Sequence, residues 1–522
     1  MSPGAPDDEI RESLSAGEQV FETWRKRAGI VAAPVAFAIT FTLCDGLTPE
    51  GRRLAAILAG VGVLWVCETI PLPATALLGA LLCIVLKVAD AKKVFAYFGD
   101  PIVFVFIGSF ILARAMSVHA LDRRIALAFL SMPGIGASPA GMLLGMGLAS
   151  AVVSMWVSNT ATTAMMLPIG LGMLAAVHRV RSDRGLASGP MDARTWPFAT
   201  AMMLMIAYAA SIGGVGTPVG SPPNLIGIGL IRKNTGIEIS FFQWMLLCVP
   251  MLALMFVVLF VLLRVLHREK GSVGSSGEMR QFITIERQRL GGWTRGQVNT
   301  AIAFATAITL WMLPGFLGLP GLVGGAAEQF FKTRLPEAAV AVLAALLLFL
   351  LPTNFRRGEF TLTWPDAARI DWGTILLFGG GLALGNLMFE TGVAHAMGDR
   401  LTSLLGVNSL WAITALSIAL AIVLSEATSN TAAAQMVVPV VIAISQSAGV
   451  DPIPPAIGAV LGASFGFMLP VSTPPNAIVY GSGLIPITRM LRAGIFFDVI
   501  GFFMILLGMR VLWPLVGIAA GK

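Results

Sequence analysis

One polar tripeptide occurs twice in this chain, each time inside a long apolar segment. The first copy is Ser158-Asn159-Thr160 in VVSMWVSNTATTAMMLPIG (152–170), and the second is Ser429-Asn430-Thr431 in IVLSEATSNTAAAQMVVPVV (422–441). In lipid an unpaired hydroxyl or amide group costs several kcal/mol. Both S-N-T copies therefore need water, an ion, a substrate or a neighbouring backbone as partner, and they are the first candidates for a functional site.

The composition is that of a polytopic membrane protein. The chain has 522 residues, of which 56% are hydrophobic and only 12% are charged, whereas soluble domains carry about 25% charged residues. Lys and Arg outnumber the acids by 35 to 28. They lie in loops between apolar segments, where they act as topology signals, so nucleic acid is not an expected partner. The four cysteines show neither metal-site nor disulfide spacing.

Eleven apolar segments are long enough to span a bilayer, which takes about 17 to 25 residues. They lie near 28–44, 53–70, 73–89, 101–116, 196–232, 241–266, 297–317, 336–352, 373–391, 454–483 and 492–517. The two S-N-T copies lie in further apolar regions, each long enough for two short helices and a turn. The chain is therefore predicted to be an all-α membrane protein with two helical hairpins.

The order of landmarks along the chain repeats. Gly108 and Gly379 precede the two S-N-T copies by the same distance, and the breaks GSPPN and STPPN follow them, ending at Asn224 and Asn476. Chance would rarely repeat four landmarks in order. If each hairpin is re-entrant, each repeat has five crossings, and the two repeats are inverted in the membrane as in many secondary transporters.

The repeats divide the chain into five parts. These are a cytoplasmic N-terminal segment at 1–28, the first transmembrane helix and loop at 29–52, the first repeat at 53–266 with its hairpin at 137–176, a cytoplasmic, mobile linker at 267–296, and the second repeat at 297–517 with its hairpin at 406–443. The distribution of Lys and Arg favours an N-terminus in the cytoplasm and a C-terminus outside, in the cell's inner membrane. No cleaved signal peptide is expected.

The S-N-T copies and the Pro-Pro-Asn breaks together offer a site for a small anion and a hard cation. The breaks free backbone carbonyls, because Pro removes a donor and Gly relaxes the backbone. Helix N-termini attract an anion without permanent charge, and freed carbonyls ligate a cation. None of these stretches contains Lys or Arg. A helix cap or a polar kink would explain a single S-N-T, but the repetition favours a binding site.

Glu426 is an acid inside the second hairpin and has no counterpart in the first repeat. Acids within membrane segments are rare and are often functional. Two interpretations are equally supported: a cation or proton site, or a structural acid held by an ion pair or a proton.

The chain resembles the divalent anion:sodium symporter family. The resemblance is carried by the two S-N-T copies, by WVCETIPLPATALL (65–78) and by ASFGFMLPVSTPPNAIV (463–479), and it covers nearly everything from about residue 53 onwards. The last stretch matches the family's signature segment at Ser464, Phe467, Pro470, Ser472, Asn476 and Val479. The resemblance implies eleven spans and two hairpins, a scaffold domain, a transport domain that moves as an elevator, and a homodimer.

The resemblance also implies a set of ligands, carried over position by position. A first sodium site would use Ser154, Ser158, Asn159 and Gly220, and a second would use Ser425, Thr428, Asn430 and Ser472. The substrate carboxylates would meet Ser158, Asn159, Thr160, Ser429, Asn430 and Thr431, with Ser221, Thr473 and Pro474 lining the pocket. Several sodium contacts in such sites are backbone carbonyls.

The expected function is sodium-coupled uptake of C4-dicarboxylates such as succinate, malate or fumarate, with Na⁺ as the co-transported ion and no organic cofactor. A sodium-independent dicarboxylate exchanger, or a sulfate or citrate carrier of the same family, is the alternative. An anion channel would need a continuous pore, whereas re-entrant hairpins paired with broken spans favour a closed binding site. An enzyme is not expected, because the chain has no HExxH, no phosphate-binding Gly-Lys-Ser/Thr loop, no GxSxG and no His/Cys cluster.

Overall fold

The computed structural model describes residues 16–135, 138–183, 196–268, 276–318 and 325–516. Within these residues the chain is helical apart from one small antiparallel sheet, in which β1 (Pro352–Asn354) pairs with β2 (Glu359–Phe360). The predicted all-α class is confirmed. Much of the predicted N-terminal segment and the C-terminal end lie outside the described residues.

The helices of the first repeat, and the one before them, follow the predicted segments. They are α1 (Ala16–Leu43), α2 (Pro49–Cys67), α3 (Leu72–Val85), α4 (Ala91–Ala96), α5 (Pro101–Val118), α6 (Leu121–Leu130), α7 (Pro139–Ser154), α8 (Asn159–Asp183), α9 (Pro197–Val215), α10 (Pro222–Thr235) and α11 (Phe241–Leu266). The hairpin consists of α7 and α8. The predicted span at 196–232 is broken between α9 and α10.

The linker and the second repeat supply the remaining helices. They are α12 (Ser276–Leu290), α13 (Arg295–Leu317), α14 (Gly325–Arg334), α15 (Glu337–Leu350), α16 (Trp364–Ala367), α17 (Trp372–Glu390), α18 (Val393–Leu405), α19 (Leu410–Ala427), α20 (Asn430–Ser447), α21 (Ile453–Ala463), α22 (Pro474–Tyr480) and α23 (Ile487–Val516). Here α19 and α20 form the hairpin. The break lies between α21 and α22.

Nine helices among the described residues are long and apolar enough to span a bilayer, and ten if α14 and α15, bent by 65°, form one span. Seven of the nine coincide with predicted spans, and the other two, α8 and α19, belong to the hairpins. Four predicted spans are missing from the nine: 336–352 counts only as part of the bent pair of α14 and α15, α2 begins with charged residues, α3 has 14 residues and α21 has 11. The count of eleven crossings and the re-entry of the hairpins stay predictions.

Each hairpin helix begins at a capping serine. Ser138 Oγ accepts a hydrogen bond from the Gly141 N–H at 3.0 Å at the start of α7. Ser409 Oγ accepts one from the Ala412 N–H at 3.3 Å at the start of α19. Such a cap stabilises a helix by about 1 kcal/mol because it satisfies a donor that has no partner within the helix. Since the two serines are equivalent in the repeat, the local sequence starts both hairpins in the same way.

Helices of the two repeats pack against each other at the centre of the molecule. Within each repeat, the first hairpin helix packs on the helix before the break, as α7 does on α9 and α19 on α21. The second hairpin helix packs across the repeats, so that α8 contacts α22 and α20 contacts α10. This arrangement brings both hairpin tips and both breaks together in the core.

Burial separates inner from outer helices. Helix α9 is buried along its whole length. In α1, α13 and α23, by contrast, only 11%, 22% and 28% of the residues in the most apolar stretch of 18 are buried. Apolar helices with so much exposed surface need lipid or a further protein chain against them. The burial pattern therefore fits a membrane protein whose broken helices lie in the interior.

The described part of the predicted linker contains a helix that packs on the first repeat, and the mobility of the linker stays a prediction. Helix α12 packs against α6 and α8. The Arg123 guanidinium donates to the Glu286 carboxylate, Ile283 is buried, and the Phe282 ring lies against Gly172 of α8. Apolar residues spaced along α12 give it a face that packs, a pattern hidden by the many charges around it.

Candidate functional site

The serine of each S-N-T copy caps the second helix of its hairpin. Ser158 Oγ accepts a hydrogen bond from the Ala161 N–H at 3.3 Å, and Ser429 Oγ accepts one from the Ala432 N–H at 3.2 Å. Helices α8 and α20 therefore begin within the S-N-T copies themselves. Because an α-helix carries partial positive charge at its N-terminus, each hairpin tip favours an anion nearby.

The asparagine of each copy bonds to a serine of the first hairpin helix. Ser154 Oγ donates to Asn159 Oδ1, and Ser425 Oγ donates to Asn430 Oδ1, at 2.7 Å in both hairpins. Both serines are fully buried. A hydroxyl and an amide oxygen thus lie side by side in each repeat, and hard cations such as Na⁺ prefer such oxygen ligands.

The asparagine of the first Pro-Pro-Asn break holds the broken backbone in place. Helix α9 ends at Val215 and α10 begins at Pro222, so carbonyls between them lack their helical partners. Asn224 Nδ2 donates to the Gly214 and Thr217 carbonyl oxygens, each at 2.8 Å. Asn224 is fully buried. One side chain therefore fixes two carbonyls of the break.

The asparagine of the second break does the same. Asn476 Nδ2 donates to the Gly466 carbonyl at 2.9 Å and to the Leu469 carbonyl at 3.0 Å. These carbonyls stand at the same two positions before the asparagine as in the first break, and Asn476 is also fully buried. The Pro-Pro-Asn motif predicts a helix break from the sequence alone, and its repetition is the sequence signal for this further role of the asparagine.

In the first repeat the hairpin tip touches the break. A side chain on Gly214 would place Cβ 2.3 Å from Asn159 Oδ1, so only glycine fits there. Thr217 Oγ1 donates to the Met155 carbonyl. A Cβ on Gly220 would lie 2.6 Å from the Gly214 carbonyl oxygen and 2.9 Å from the Met155 carbonyl oxygen. Backbone carbonyl oxygens therefore gather around Gly220, a member of the predicted first sodium site.

In the second repeat the tip and the break are joined by two hydroxyl groups. Ser425 Oγ donates to the Ala463 carbonyl at 2.8 Å as well as to the hairpin asparagine. Ser472 Oγ donates to the Glu426 backbone carbonyl at 3.3 Å and to the Glu426 carboxylate. The predicted second sodium residues Ser425 and Asn430 are hydrogen-bonded to each other, and Ser472 lies close by, since a Cβ on Gly466 would meet Ser425 Oγ at 3.1 Å and Ser472 Cβ at 3.3 Å.

Thr428 differs from the other predicted sodium residues. Its hydroxyl donates to the Trp65 carbonyl at 3.1 Å, at the C-terminal end of α2. The side chain thereby ties the second hairpin tip to a helix outside the hairpin. The proton of the Thr428 hydroxyl is thereby engaged, so a cation at this residue would meet the lone pairs of the hydroxyl oxygen or the backbone carbonyl.

A cavity of about 620 Å³ lies between the hairpin tips and the breaks. The structure brings all nine predicted substrate-binding residues to its wall: Ser158, Asn159, Thr160, Ser221, Ser429, Asn430, Thr431, Thr473 and Pro474. Ser154, Gly220, Ser425 and Thr428 are not part of this wall. The oxygen clusters reach the cavity through Asn159, Asn430 and Ser472. The assignment of individual ligands stays a prediction.

Helix N-termini surround the cavity. Helices α8, α10 and α20, with 25, 14 and 18 residues, begin at residues of its wall, and the seven-residue α22 begins there as well. The N-terminal ends of these helices carry partial positive charge, and α8 and α20 also present N–H groups there, whereas α10 and α22 begin with Pro-Pro, which has no N–H. The cavity therefore favours an anion.

Glu426 lies beside a second buried acid. Its carboxylate accepts hydrogen bonds from the Met468 N–H at 2.8 Å and from Ser472 Oγ. The Asp498 carboxyl of α23 lies near it, and both acids are less than 10% exposed. Within the described residues, no Lys or Arg pairs with either acid, and the Asp498 oxygens have no donor. With no cationic side chain beside either acid among the described residues, the ion-pair interpretation has no support, and a cation or proton site and a protonated structural acid are the interpretations that remain.

Two arginines line the cavity, although no S-N-T or Pro-Pro-Asn stretch contains one. Arg114 lies on α5 and Arg369 lies just before α17. The signal for Arg114 was an arginine inside the predicted span 101–116, because charges within spans mark functional sites. Arg369 lies in a polar loop and gave no such signal.

The fold and the site define a class of protein: a polytopic helical membrane protein in which two repeats build one central cavity. The chain belongs to the family described as the sodium:sulfate symporter transmembrane region, which it matches over residues 22–519. The predicted membership of the divalent anion:sodium symporters is thereby confirmed.

Two curated relatives are named sodium-dependent dicarboxylate transporter SdcS. The protein from Staphylococcus saprophyticus is 33% identical over 492 residues, which cover 93% of this chain and 91% of that protein. The protein from Staphylococcus aureus strain USA300 is 32% identical over 512 residues, which cover 97% of this chain and 93% of that protein. The likeness therefore extends over nearly the whole of both chains.

Two solved structures share the fold at low sequence identity. The YdaH transporter of Alcanivorax borkumensis has a TM-score of 0.50 and 14% identity, with 96% of this chain and 99% of that chain covered. MtrF of Neisseria gonorrhoeae, from a class of antimetabolite efflux pumps, has a TM-score of 0.53 and 13% identity, with 90% and 97% covered. At such identities the likeness shows the fold alone.

Proposed function

We propose that this protein is a secondary active transporter that couples entry of Na⁺ to uptake of C4-dicarboxylates such as succinate, malate or fumarate. The observation that carries this proposal is the cavity in which the S-N-T copies of both repeats meet. The names of the two staphylococcal relatives support it. The protein transports its substrate unchanged, so it is not an enzyme and needs no organic cofactor.

A dicarboxylate matches the paired construction of the cavity. Each S-N-T copy offers hydroxyl and amide groups at the start of a helix, so each can hold one carboxylate. The binding groups carry no fixed charge. A dianion can therefore be released again, which a buried arginine in direct contact would hinder.

In this proposal, Na⁺ binds next to the cavity wall and strengthens binding of the substrate inside the cavity. Asn159 and Asn430 belong both to the cavity wall and to the serine–asparagine oxygen pairs. A cation bound at Asn159 Oδ1 or Asn430 Oδ1 orients the same side chain toward the anion and adds positive charge beside it. By thermodynamic linkage the anion then raises the affinity for Na⁺ by the same factor.

Transport requires that the cavity open alternately to the two sides of the membrane. The hairpins and broken helices of both repeats pack on one another, and we propose that they move together as the transport domain of an elevator. The other helices would form the scaffold of a homodimer. The N-terminus would lie in the cytoplasm and the C-terminus outside the inner membrane.

Uptake of radiolabelled succinate into proteoliposomes tests the proposal. An inward Na⁺ gradient should drive accumulation against a succinate gradient, and replacing Na⁺ by choline should abolish it. Vesicles preloaded with succinate provide the control for exchange. Uptake that ignores Na⁺ but requires internal dicarboxylate would contradict symport and identify an exchanger.

Sulfate is the competing substrate, because the family description names it. A cavity of about 620 Å³ with one S-N-T copy per carboxylate favours a longer anion with two separated charges. We therefore expect excess succinate to inhibit its own labelled uptake strongly and sulfate or citrate to inhibit it weakly. Stronger inhibition by sulfate or citrate would overturn the substrate assignment.

A further inference from the structure

We propose that Arg114 and Arg369, here called the arginine pair, form an outer binding site that attracts the dicarboxylate dianion to the cavity. This inference rests on the proposed function and assigns two specificity-determining residues to it. The S-N-T copies would hold the bound carboxylates, and the arginine pair would raise the concentration of dianion in front of them.

Arg114 is presented to the cavity by one face of α5. Phe110, Ala113, Arg114 and Ser117 all line the wall, as residues spaced by one helical turn do. The Arg114 side chain is partly buried, and its Nε is fully buried without a hydrogen-bond partner among the described residues. A guanidinium offers five N–H donors that suit carboxylates. Arg114 therefore places a positive charge at the cavity wall, with no ion-pair partner among the described residues.

Arg369 reaches the same cavity from the loop before α17. Its side chain is exposed and has no hydrogen-bond or ion-pair partner among the described residues. The nearby Asp371 also lines the cavity, but its carboxylate accepts hydrogen bonds from the Thr374 N–H at 3.0 Å and from Thr374 Oγ1. Asp371 is thus engaged as the cap of α17, while Arg369 remains available.

The charges of the wall favour a dianion. Arg114, Arg369 and Asp371 are the ionisable side chains among the wall residues, which leaves one net positive charge. Opposite charges at a cavity raise the local concentration of a charged ligand. The helix N-termini of the cavity add to this positive potential without adding a fixed charge.

The arginine pair is not part of the repeated binding site. Gly385 lies as far before Ser429 as Arg114 does before Ser158, and the residue equivalent to Arg369 in the first repeat is Phe98. The S-N-T and Pro-Pro-Asn contacts, by contrast, occur in both repeats. Both repeats therefore supply neutral groups that bind the anion, whereas the charged residues that attract it have no equivalent in the other repeat.

Equilibrium binding of labelled succinate to the purified full-length protein, at saturating Na⁺, tests the inference. Arg114→Gln and Arg369→Gln should each raise the Kd by about three- to tenfold, as loss of one charge near a dianion does. Arg114→Lys and Arg369→Lys keep the charge and should stay within about twofold of wild type. Arg356→Gln is the matched control, because Arg356 is exposed outside the cavity wall.

The dependence of binding on salt and on the charge of the ligand distinguishes a loss of electrostatic attraction from a folding defect. Raising choline chloride from about 0.05 to 0.5 M at constant Na⁺ should weaken binding to wild type more than to the Arg114→Gln/Arg369→Gln double variant, because salt screens charges at this range. The half-amide of succinate, with one carboxylate, should lose less affinity than succinate in both single variants.

The outcomes distinguish the two proposals. If wild-type protein fails to bind succinate in Na⁺, both the proposed function and the arginine pair are overturned. If wild type binds succinate and the Gln variants bind it equally well, or no worse than Arg356→Gln, only the arginine pair is overturned. Since Arg369 is exposed, its variants keep the test valid even if Arg114→Gln fails to fold.

Discussion

The hairpin of the first repeat and that of the second make the same contacts but differ in charge. In each, a serine bonds to the S-N-T asparagine at 2.7 Å, and a Pro-Pro-Asn asparagine holds two carbonyls of the break. Where the second repeat has Glu426, the first has Met155. The shared contacts therefore indicate that the two hairpins have the same function, and the Glu426 carboxylate is the difference between them.

The difference makes the two oxygen clusters unequal for a cation. The first cluster consists of hydroxyl, amide and carbonyl oxygens. The second is one hydrogen bond away from the Glu426 carboxylate through Ser472, and Asp498 lies behind that carboxylate. A negative charge at this distance strengthens cation binding. We therefore expect the second cluster to bind Na⁺ more tightly than the first.

Substitution of the S-N-T asparagines should have the largest effect on uptake, and the effect should be similar in the two repeats. Asn159→Ala and Asn430→Ala each delete an oxygen that serves the cation and a side chain that lines the cavity. Uptake of succinate should fall by about a hundredfold or more while size-exclusion chromatography still shows a folded protein. Uptake near the wild-type rate in either variant would refute the assignment of the site.

The Pro-Pro-Asn asparagines should come next. Asn224→Leu and Asn476→Leu each remove two buried hydrogen bonds, worth about 1 kcal/mol apiece, so the Na⁺ concentration for half-maximal uptake should rise by about ten- to thirtyfold. The Na⁺ dependence of uptake measures this, with a thermal melting curve as the control for folding. An effect in only one repeat would break the proposed equivalence of the two breaks.

Glu426→Gln should reveal the difference between the repeats. The variant keeps the shape of the side chain but removes its charge, so apparent Na⁺ affinity should fall by about five- to tenfold. Met155→Leu at the equivalent position should leave Na⁺ affinity unchanged, because only the Met155 backbone carbonyl takes part in the first cluster. Equal responses of the two variants would contradict a charged second cluster.

Thr428→Val should have the smallest effect. The first repeat already has a buried valine, Val157, at this position. The substitution removes the hydrogen bond to Trp65 and should cost about 1 kcal/mol of stability, while Na⁺ affinity changes by at most about twofold. Denaturation and Na⁺ titration should be measured on the same preparation, and a large loss of Na⁺ affinity would make the Thr428 hydroxyl a ligand after all.

Much of the candidate site could be predicted because its signals are local. Ser158 and Ser429 cap helices through contacts three residues along the chain, and Pro and Gly break helices wherever they occur. The positions of the hairpins and breaks follow from such residues. The number of crossings is harder to predict, since short helices such as α3 and α21 depend on their neighbours for burial.

Other parts of the site depend on contacts that no local pattern contains. Asp498 meets Glu426 only because α23 packs against α19, and Arg369 reaches the cavity from a loop distant from both S-N-T copies. Helix α12 docks on α6 and α8 in a segment whose composition resembles a flexible linker.

The sequence by itself determined the membrane class, the two repeats, the family and the residues of the cavity wall that the repeats supply. These follow from apolar length and from motifs whose backbone effects are local. Only the tertiary structure decided that α8 and α20 each pack on the broken helix of the other repeat, that two arginines join the cavity, and that one cluster has buried acids beside it. Such features arise where helices far apart in the chain pack together, because burial and charge then depend on partners that the local sequence does not specify.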